Sequence, residues 1–393
     1  MRSDHLDWPF FDDSHRAWAA QVDAYCVARQ DCPHPLTRDD VDRACRVEVR
    51  AMGAAGLLRE CVPQAHGGAR PSVDSRALCI ARERLAYDDG LADFAFAMQG
   101  LGSGAIALAG GDADRARWLP AVAEGRAIAA FALTEPQAGS DVAALATSAR
   151  HDGGDYVLDG EKTWISNGGI ADFYCVFART SGERGSAGLS AFVVPADLRG
   201  VAIVERLDAI APHPLAHLAL RDVRVPSTAM LGAEGDGFRL AMRTLDIFRA
   251  SVAAAALGMA RRAFDAAVAH ARSRAMFGGR LGDLQLTQAA LGDMATAIDR
   301  AALLAYRAAW LRDVKGVRTT REAAMAKLEA TESAQRVIDA ALQMHGGEGV
   351  RQGGVCERLY RDIRALRIYE GASEVQRLVI GRDALKTAEA GRA

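Results

Sequence analysis

The residue of this sequence best placed for acid–base chemistry is Glu370, in the segment RALRIYEGASEVQR at residues 364–377. Gly371 follows directly and tolerates positive φ, so the chain can turn sharply there. Ser373 followed by Gln376 predicts a capping box that opens the last helix. Glu370 is therefore expected at a break between two helices, where its carboxylate can point into a cleft. An isolated glutamate at a helix end is usually solvated, so the rest of the chain decides which interpretation applies.

The elements that would position Glu370 fall into three sections, and the pattern predicts an α+β fold that is mainly α. Helical periodicity dominates up to about residue 124. Residues 4–37 are less regular, because Pro33 and Pro35 interrupt them, and we interpret them as an arm or a partly irregular first helix. We predict an N-terminal helical domain over residues 1–125.

The middle section, residues 126–234, predicts a compact antiparallel β domain. An alternating run at residues 156–166 contains an Asp159–Gly160 hairpin signal. An apolar run lies at residues 127–133, further short β-rich runs lie at 173–178 and 189–195, and residues 221–226 close the section. Glycine-rich links near Gly125 and at residues 232–237 mark the boundaries of this section.

The last section, residues 235–393, predicts a C-terminal helical bundle domain. Long periodic segments lie at residues 252–271, 284–310 and 320–342. Together with the helix that opens at Ser373 they would make a four-helix bundle.

Composition narrows the class of protein. The 393-residue chain has a formal net charge of −2, which gives no reason to expect nucleic acid or an anionic membrane as a partner. Its seven cysteines show no CxxC pair and no regular spacing, so we interpret them as thiols of a reducing compartment. No signal peptide, membrane-spanning run or metal site is recognisable in the sequence. We expect a cytoplasmic protein.

Four further segments accompany the one around Glu370. In chain order the five are FALTEPQAGSD at residues 131–141, TWISNG at 163–168, RAMFG at 274–278, QMHGG at 343–347 and IYEGASEVQR at 368–377. Together they resemble the acyl-CoA dehydrogenase family, FAD enzymes that desaturate acyl thioesters. The resemblance covers nearly the whole chain and is weakest before about residue 57.

Such a desaturation needs a base for the α proton, an acceptor for hydride from the β carbon, and donors for the developing enolate. No side chain accepts hydride, so a redox cofactor is required. The sequence has no GxGxxG after a strand, which argues against a nicotinamide site of the Rossmann type. The resemblance implies FAD instead.

The resemblance also assigns residues to the cofactor. The hydroxyls of Thr134 and Ser166 could bond the polar flavin edge, Trp164 offers an apolar surface, and the fork of Arg274 suits phosphate. The alternatives are a hairpin with a buried tryptophan, and an exposed arginine near a helix stop. The implied cofactor-binding residues are Phe131, Leu133, Thr134, Gly139, Ser140, Trp164, Ser166, Arg274, Phe277, Gln285, Gln343, Gly346, Gly347, Ser373 and Glu374.

Partners follow from the same resemblance. One subunit completes another's FAD site in the family, which implies a homodimer or homotetramer. The electron acceptor would be a protein such as an electron-transfer flavoprotein. The implied substrate-binding residues are Ser140, Asp246, Phe248, Arg249 and Gly371.

Glu370 matches the position of the catalytic base in most of the family. A carboxylate with an ordinary pKa is too weak a base, and burial beside an apolar acyl chain would raise its pKa. Some relatives carry the base on the helix matching residues 245–249, but this chain has Phe248 there. Phe248 could narrow the acyl pocket or pack in the bundle. Asp246 and Arg249 could bind substrate or form an i,i+3 surface pair.

Departures from the family leave the substrate open. Ala372 stands where a threonine is usual, and residues 209–218 do not follow the common pattern. The main hypothesis is a dehydrogenase of acyl-CoA. The alternatives are a dehydrogenase of carrier-bound acyl groups, a flavin oxidase or monooxygenase on the same fold, and a non-catalytic flavoprotein scaffold.

Overall fold

The protein is described by a computed structural model covering residues 4–29, 37–182 and 185–390, with side chains to residue 386. Pro33 and Pro35 lie outside the described residues. The α-helices of the described part are α1 Asp13–Ala28, α2 Arg38–Ala54, α3 Ser75–Asp88, α4 Gly90–Ala109, α5 Asp112–Ala123, α6 Gly237–Ser273, α7 Gln285–Lys315, α8 Thr320–Met344, α9 Val355–Leu366 and α10 Ser373–Ala390. Its strands are β1 Ala129–Ala132, β2 Ser148–Asp152, β3 Asp155–Ser166, β4 Phe173–Arg179, β5 Leu189–Pro195, β6 Val201–Arg206, β7 Leu215–Pro226, β8 Ala275–Met276 and β9 Gly279–Arg280.

The chain forms two compact units, each assembled from separate segments. The first unit comprises Met1–His34, Asp74–Asp93 and Asp246–Ala393, and the second comprises Pro35–Val73 and Phe94–Leu245. The predicted class, mainly α with a middle β domain and a C-terminal helical domain, is confirmed. The predicted domain boundaries at residues 125 and 234 stay a prediction.

The first unit is helical, and α8 is packed against α7, α9 and α10. Its N-terminal helix α1 is regular over Asp13–Ala28, so the irregularity expected within residues 4–37 does not extend to these residues. The reason is Asp12, whose carboxylate accepts from the backbone N–H groups of Ser14 and His15 while His15 completes a capping box. This D-x-x-H box differs from the usual S/T-x-x-E/Q pattern, which is why the sequence did not reveal it.

The second unit contains a seven-stranded sheet with the order β1-β4-β2-β3-β7-β6, and β5 pairs with β4. Most pairs are antiparallel, as predicted, but β1 runs parallel to β4. Residues 209–218, unassigned from the sequence, supply the start of β7. Among the described helices only α4 has the length and hydropathy of a membrane span, and 89% of that window is buried inside the protein, as in an ordinary core helix.

The predicted hairpin turn at Asp159–Gly160 is wrong. Residues 155–166 form the single strand β3, and the hairpin with β2 closes upstream, where Asp152 pairs with Asp155 around Gly153. Gly160 marks a register irregularity instead. A Cβ atom on Gly160 would lie 2.5 Å from Oγ1 of Thr147, so the glycine permits close approach of another chain segment rather than a turn.

Candidate functional site

Glu370 lies in the turn between α9 and α10, as the sequence predicted. Gly371 has a positive φ of 92°, which confirms the expected sharp turn. Glu370 itself also has a positive φ, of 53°, which is uncommon for a residue with a side chain. Strained backbone of this kind persists only where the surroundings fix it, and it is concentrated at functional sites.

Side chains from three helices fix the turn through its carbonyl oxygens. Nζ of Lys327 and Nε2 of Gln376 donate to the oxygen of Gly371 at 2.7 and 2.8 Å. Nε of Arg249 donates to the oxygen of Glu370 at 3.4 Å. The direction of the Glu370 side chain is thus set by α6, α8 and α10.

The predicted capping box at Ser373 is wrong. The backbone N–H of Gln376 donates to the oxygen of Ala372, so α10 begins at Ser373 without a serine cap. The Ser373 hydroxyl instead donates to Oε1 of Glu332 at 2.6 Å, and Glu332 also pairs with Arg367. The side chain of Gln376 is committed to the Glu370–Gly371 turn.

The carboxylate of Glu370 is incompletely bonded. Its Oε2 atom is buried and has no hydrogen-bond partner among the described residues. Burial raises the pKa of Glu370, although the charges of Arg82, Lys327 and Arg249 act to lower it. The negative charge of Asp93 raises the pKa of Glu370 further. An unpaired, buried oxygen with a raised pKa is suited to take up a proton.

Three charged residues around Glu370 were not found from the sequence. Arg82 forms two bonds to the carboxylate of Asp93, at 2.8 and 2.9 Å, and all of these groups are buried. Lys327 is completely buried, and burial lowers its pKa to about 8 while the charge of Glu370 opposes that change. Arg82 lies in α3 and Asp93 in α4, about 280 residues before Glu370 in the chain. No local sequence pattern therefore links them to Glu370.

Arg249 and Asp246 form an ion pair, with Nη1 and Oδ1 2.8 Å apart. The guanidinium side chain is only 6% exposed, so the alternative of a surface pair is wrong. Oδ2 of Asp246 also accepts from the Thr320 hydroxyl at 2.7 Å. Phe248 is buried, with 2% exposure. Whether its ring borders an acyl group stays a prediction.

The residues predicted to hold the flavin ring lie in the second unit. Trp164 is 56% exposed and has a positive φ of 56°, so the alternative of an ordinary buried tryptophan is wrong. It lies in an irregularity of β3, between the pairs that Lys162 and Ile165 form with β7. Thr134 and Ser166 are half-buried, and their hydroxyls form no hydrogen bond in the described part of the chain. An exposed indole and unbonded hydroxyls fit an aromatic ligand with polar edges.

The loop that carries Thr134 is held by a buried ion pair that the sequence did not reveal. Nζ of Lys162 donates to Oε1 of Glu135 at 2.8 Å and to the oxygens of Leu133 and Phe177 at 3.1 and 2.6 Å. Phe131 packs against Phe177, with ring centroids 4.9 Å apart. In the same loop, Gly139 and Ser140 are exposed.

Most of the predicted cofactor-binding residues of the first unit lie on its exposed surface. Arg274, Gln285, Gln343, Gly346 and Gly347 are all exposed. Phe277 is 87% exposed in the β8–β9 turn, where it adopts a positive φ of 50°. Glu374 is also exposed and lies 3.8 Å from Arg377.

A histidine pair joins two of these predicted segments. The rings of His270 and His345 stack at 4.3 Å, next to Arg274 and Gln343 in the chain. Burial and the neighbouring His345 lower the pKa of His270. The predicted segment at residues 343–347 is therefore in contact with the C-terminal end of α6, just before the predicted segment at residues 274–278. The exposed guanidinium of Arg274 and the exposed amides of Gln285 and Gln343 are groups that fit the polar half of FAD.

The chain matches acyl-CoA dehydrogenase domains along almost all of its length. The N-terminal domain matches residues 12–126, the middle domain residues 130–223 and the C-terminal domain residues 235–385. The bovine mitochondrial short-chain specific acyl-CoA dehydrogenase is 41% identical over 345 residues, which cover 86% of this chain and 82% of that protein. Cyclohexane-1-carbonyl-CoA dehydrogenase of Geobacter metallireducens is 39% identical over 335 residues, covering 85% and 87%.

Solved structures agree with these sequence matches. Glutaryl-CoA dehydrogenase of Mycobacterium smegmatis in complex with FADH2 gives a TM-score of 0.85 at 30% identity and covers 95% of each chain. A chain from a study of the electron transferring flavoprotein of Acidaminococcus fermentans gives 0.87 at 34% identity, covering 95% of this chain and 98% of that one. A prolyl acyl carrier protein oxidase gives 0.86 at 27% identity, covering 95% and 99%.

Proposed function

Because this chain belongs to the acyl-CoA dehydrogenase family, FAD-dependent oxidoreductases that act on CH–CH bonds of acyl thioesters, we propose that Glu370 is its catalytic base. The observation that carries the proposal is the buried Oε2 atom of Glu370, which has no hydrogen-bond partner among the described residues. A base needs a free lone pair and a pKa nearer to neutrality than an ordinary carboxylate has. The raised pKa of Glu370 meets the second need.

In the proposed reaction Oε2 of Glu370 accepts the α proton of the thioester. The electron pair of the broken α C–H bond becomes the new double bond as hydride leaves the β carbon. FAD, when bound, supplies the acceptor for that hydride. Lys327 and Gln376 hold the turn, so the carboxylate is oriented before substrate arrives.

For the cofactor, we assign Thr134, Ser166 and Trp164 to the flavin ring. Their unbonded hydroxyls and exposed indole support this assignment. Phosphate and adenosine are assigned to Arg274 and Gln343 and to the segments around them, completed by a second copy of the chain. We propose a homodimer or homotetramer on the same basis, because the family resemblance assigns part of each FAD site to a second subunit.

The substrate is proposed to be an acyl-CoA, as for the curated relatives, and the electron acceptor an electron-transfer flavoprotein. Asp246 and Arg249 are assigned to the substrate because they lie beside the Glu370 turn. Thioesters on a carrier protein are the second candidate, since a carrier-protein oxidase shares the fold. The proposed location is the cytoplasm.

The base is tested with Glu370→Gln, which keeps the shape of the side chain and removes the proton-accepting oxygen. The variant should retain FAD, while its flavin is reduced by substrate about 10² to 10⁴ times more slowly. The measurement is anaerobic bleaching of the flavin in a stopped-flow instrument. Glu329→Gln is the matched control, because Glu329 lies on α8 in a partly exposed pair with Arg300. Equal rates in Glu370→Gln and the parent would assign the base to another residue.

The substrate class is tested by the same bleaching with a panel of acyl-CoAs and the matching acyl-carrier thioesters. Faster reduction by CoA esters at equal acyl group supports the first candidate. Reduction by carrier thioesters alone would favour the second candidate and leave the role of Glu370 unchanged.

A further inference from the structure

We propose that the buried Lys162–Glu135 ion pair is the positioning device of the flavin-binding loop, and that Lys162 controls FAD affinity by holding Thr134 in place. The inference rests on the proposed assignment of FAD to Thr134 and Trp164. Lys162 is a positioning residue here, because it acts through groups that touch the cofactor.

Three consecutive loop residues are tied to two consecutive strand residues. Nζ of Lys162 donates to the oxygen of Leu133 and to the carboxylate of Glu135, at 3.1 and 2.8 Å. Between them, the oxygen of Thr134 accepts from the backbone N–H of Thr163 at 2.9 Å. The backbone of Thr134 is thus fixed on both sides as well as at its own carbonyl, which leaves its side chain free for a ligand.

The carboxylate of Glu135 closes the other end of the loop. Its oxygens accept from the backbone N–H groups of Ala146 at 2.7 Å and Thr147 at 3.0 Å. Glu135 and Ala138 also exchange two backbone hydrogen bonds of 3.1 Å. Each oxygen of the carboxylate has a partner, and the loop from residue 133 to residue 147 is anchored at its start and its end by one pair.

The same lysine stands directly before the irregularity that exposes Trp164. Lys162 forms the last regular pair with β7 before it, opposite Leu218, and pairing resumes at Ile165. The third donor bond of Lys162, to the oxygen of Phe177 at 2.6 Å, attaches this point to β4. Displacing Lys162 therefore displaces two proposed flavin contacts together, the hydroxyl of Thr134 and the indole of Trp164.

A purely structural role makes a different prediction. A buried charge that only balances its partner matters for stability, and removing both charges restores much of that stability. A positioning role depends on the bonds from Lys162 to Leu133 and Phe177, which no other side chain replaces in the double variant. Stability and cofactor affinity are therefore separable.

The experiment compares three variants of the full chain with the parent: one single variant, one double variant and one control. Lys162→Met leaves Glu135 buried without its partner, so both the melting temperature and FAD affinity should fall, the affinity by about ten- to a hundredfold, as for other residues that orient ligand-binding groups. In the double variant Lys162→Met/Glu135→Gln the melting temperature should recover while FAD affinity and the visible circular dichroism of bound flavin should not. Arg70→Met is the matched control, since it breaks another ion pair of the second unit, to buried Glu60 at 2.9 Å, and should lower the melting temperature alone.

FAD affinity is measured by quenching of flavin fluorescence on titration of the apoprotein. Recovery of affinity together with stability in the double variant would overturn the proposal, and so would parent-like affinity in Lys162→Met. Thr134→Val and Trp164→Ala test the underlying assignment separately. If those two bind FAD like the parent, the proposed flavin contacts are wrong irrespective of Lys162.

Discussion

The two units each contain a buried lysine near a glutamate, and the two glutamates differ. Burial lowers the pKa of both Lys162 and Lys327 to about 8. Lys162 bonds the carboxylate of Glu135, whereas Lys327 bonds the backbone oxygen of Gly371 and leaves Oε2 of Glu370 without a partner. Burial works to raise the pKa of Glu135, yet its contacts with Lys162 and the loop N–H groups lower it overall. For Glu370 burial prevails, and the pKa is raised.

The comparison indicates that bonding, more than residue type, distinguishes the structural carboxylate of Glu135 from the carboxylate of Glu370, which we propose as the base. A fully bonded buried pair rigidifies its surroundings. A buried carboxylate oxygen without a hydrogen-bond partner keeps a lone pair that can accept a proton. Perturbed pKa values of this kind are concentrated at functional sites. In the first unit, one buried carboxylate oxygen of Glu370 lacks a hydrogen bond among the described residues, which lowers stability. In the second unit, both carboxylate oxygens of Glu135 are hydrogen-bonded.

The largest effect on stability is expected from Arg82→Met. The substitution leaves the buried Asp93 carboxylate unpaired, which should lower the free energy of unfolding by about 3–5 kcal/mol in urea titrations. Arg300→Met removes a partly exposed pair with Glu329 and should cost about 1 kcal/mol at most. Equal losses in the two variants would mean that burial does not distinguish the charges around Glu370 from surface charges.

The second expectation concerns Lys162, whose pKa of about 8 in the folded protein lies below its ordinary value of 10.5. Between these two pH values the unfolded chain binds more protons than the folded one, so stability rises with pH across the window. The parent should gain stability relative to Lys162→Met from pH 8 towards pH 10.5, by about 1.4 kcal/mol for each pH unit of the window. Urea titrations at several pH values measure this, and parallel curves would contradict it.

Lys327→Met tests the electrostatic side of the comparison. The charge of Lys327 lowers the pKa of Glu370, together with Arg82 and Arg249 and against Asp93. Without that charge the pKa of Glu370 should rise further, and the acid limb of flavin reduction should move to higher pH. If the limb moves by one pH unit, the rate at a given pH on that limb becomes about tenfold lower.

The pH profile of Lys327→Met is compared with that of Lys315→Met, an exposed lysine at the end of α7. The control should keep the parent profile. An unmoved acid limb in Lys327→Met would show that this lysine supports the turn through Gly371 only.

The smallest effect is expected from Ser373→Ala. The variant removes the 2.6 Å hydroxyl bond to Glu332, which retains Arg367, and should lower the free energy of unfolding by about 1 kcal/mol. The acid limb of the reaction should not move. Loss of FAD affinity without loss of stability would instead place the hydroxyl on the cofactor, as the family resemblance implies.

The order of helical, β and helical sections could be predicted because hydrophobic periodicity is a local property. The parallel pairing of β1 with β4 could not, since it joins segments about 40 residues apart. The sharp turn at Glu370 could be predicted from Gly371, whereas the role of Glu370 as the base stays a prediction that the family motifs imply. The positive φ of Glu370 itself was not predicted, because Gly371 beside it offered a sufficient reason for a turn.

The charged residues that shape the two sites were missed for a related reason. Arg82 and Lys327 lie in helices far from Glu370 in the chain, with nothing nearby to suggest a shared site. Lys162 sits in an alternating strand pattern where a lysine is ordinarily solvated. Its complete burial depends on the loop around Glu135, which only the folded chain brings to it.

The left-handed backbone of Glu370 has a consequence for laboratory selection. A residue with a Cβ atom costs about 1–2 kcal/mol in that conformation, whereas glycine adopts it freely. A library screened only for heat resistance therefore enriches Glu370→Gly and discards the carboxylate in the same step. The same selection would also replace Trp164 and Phe277 by glycine, because their φ values are 56° and 50°. Selection of a more heat-resistant variant of this enzyme consequently needs catalytic turnover as a second criterion at these three positions.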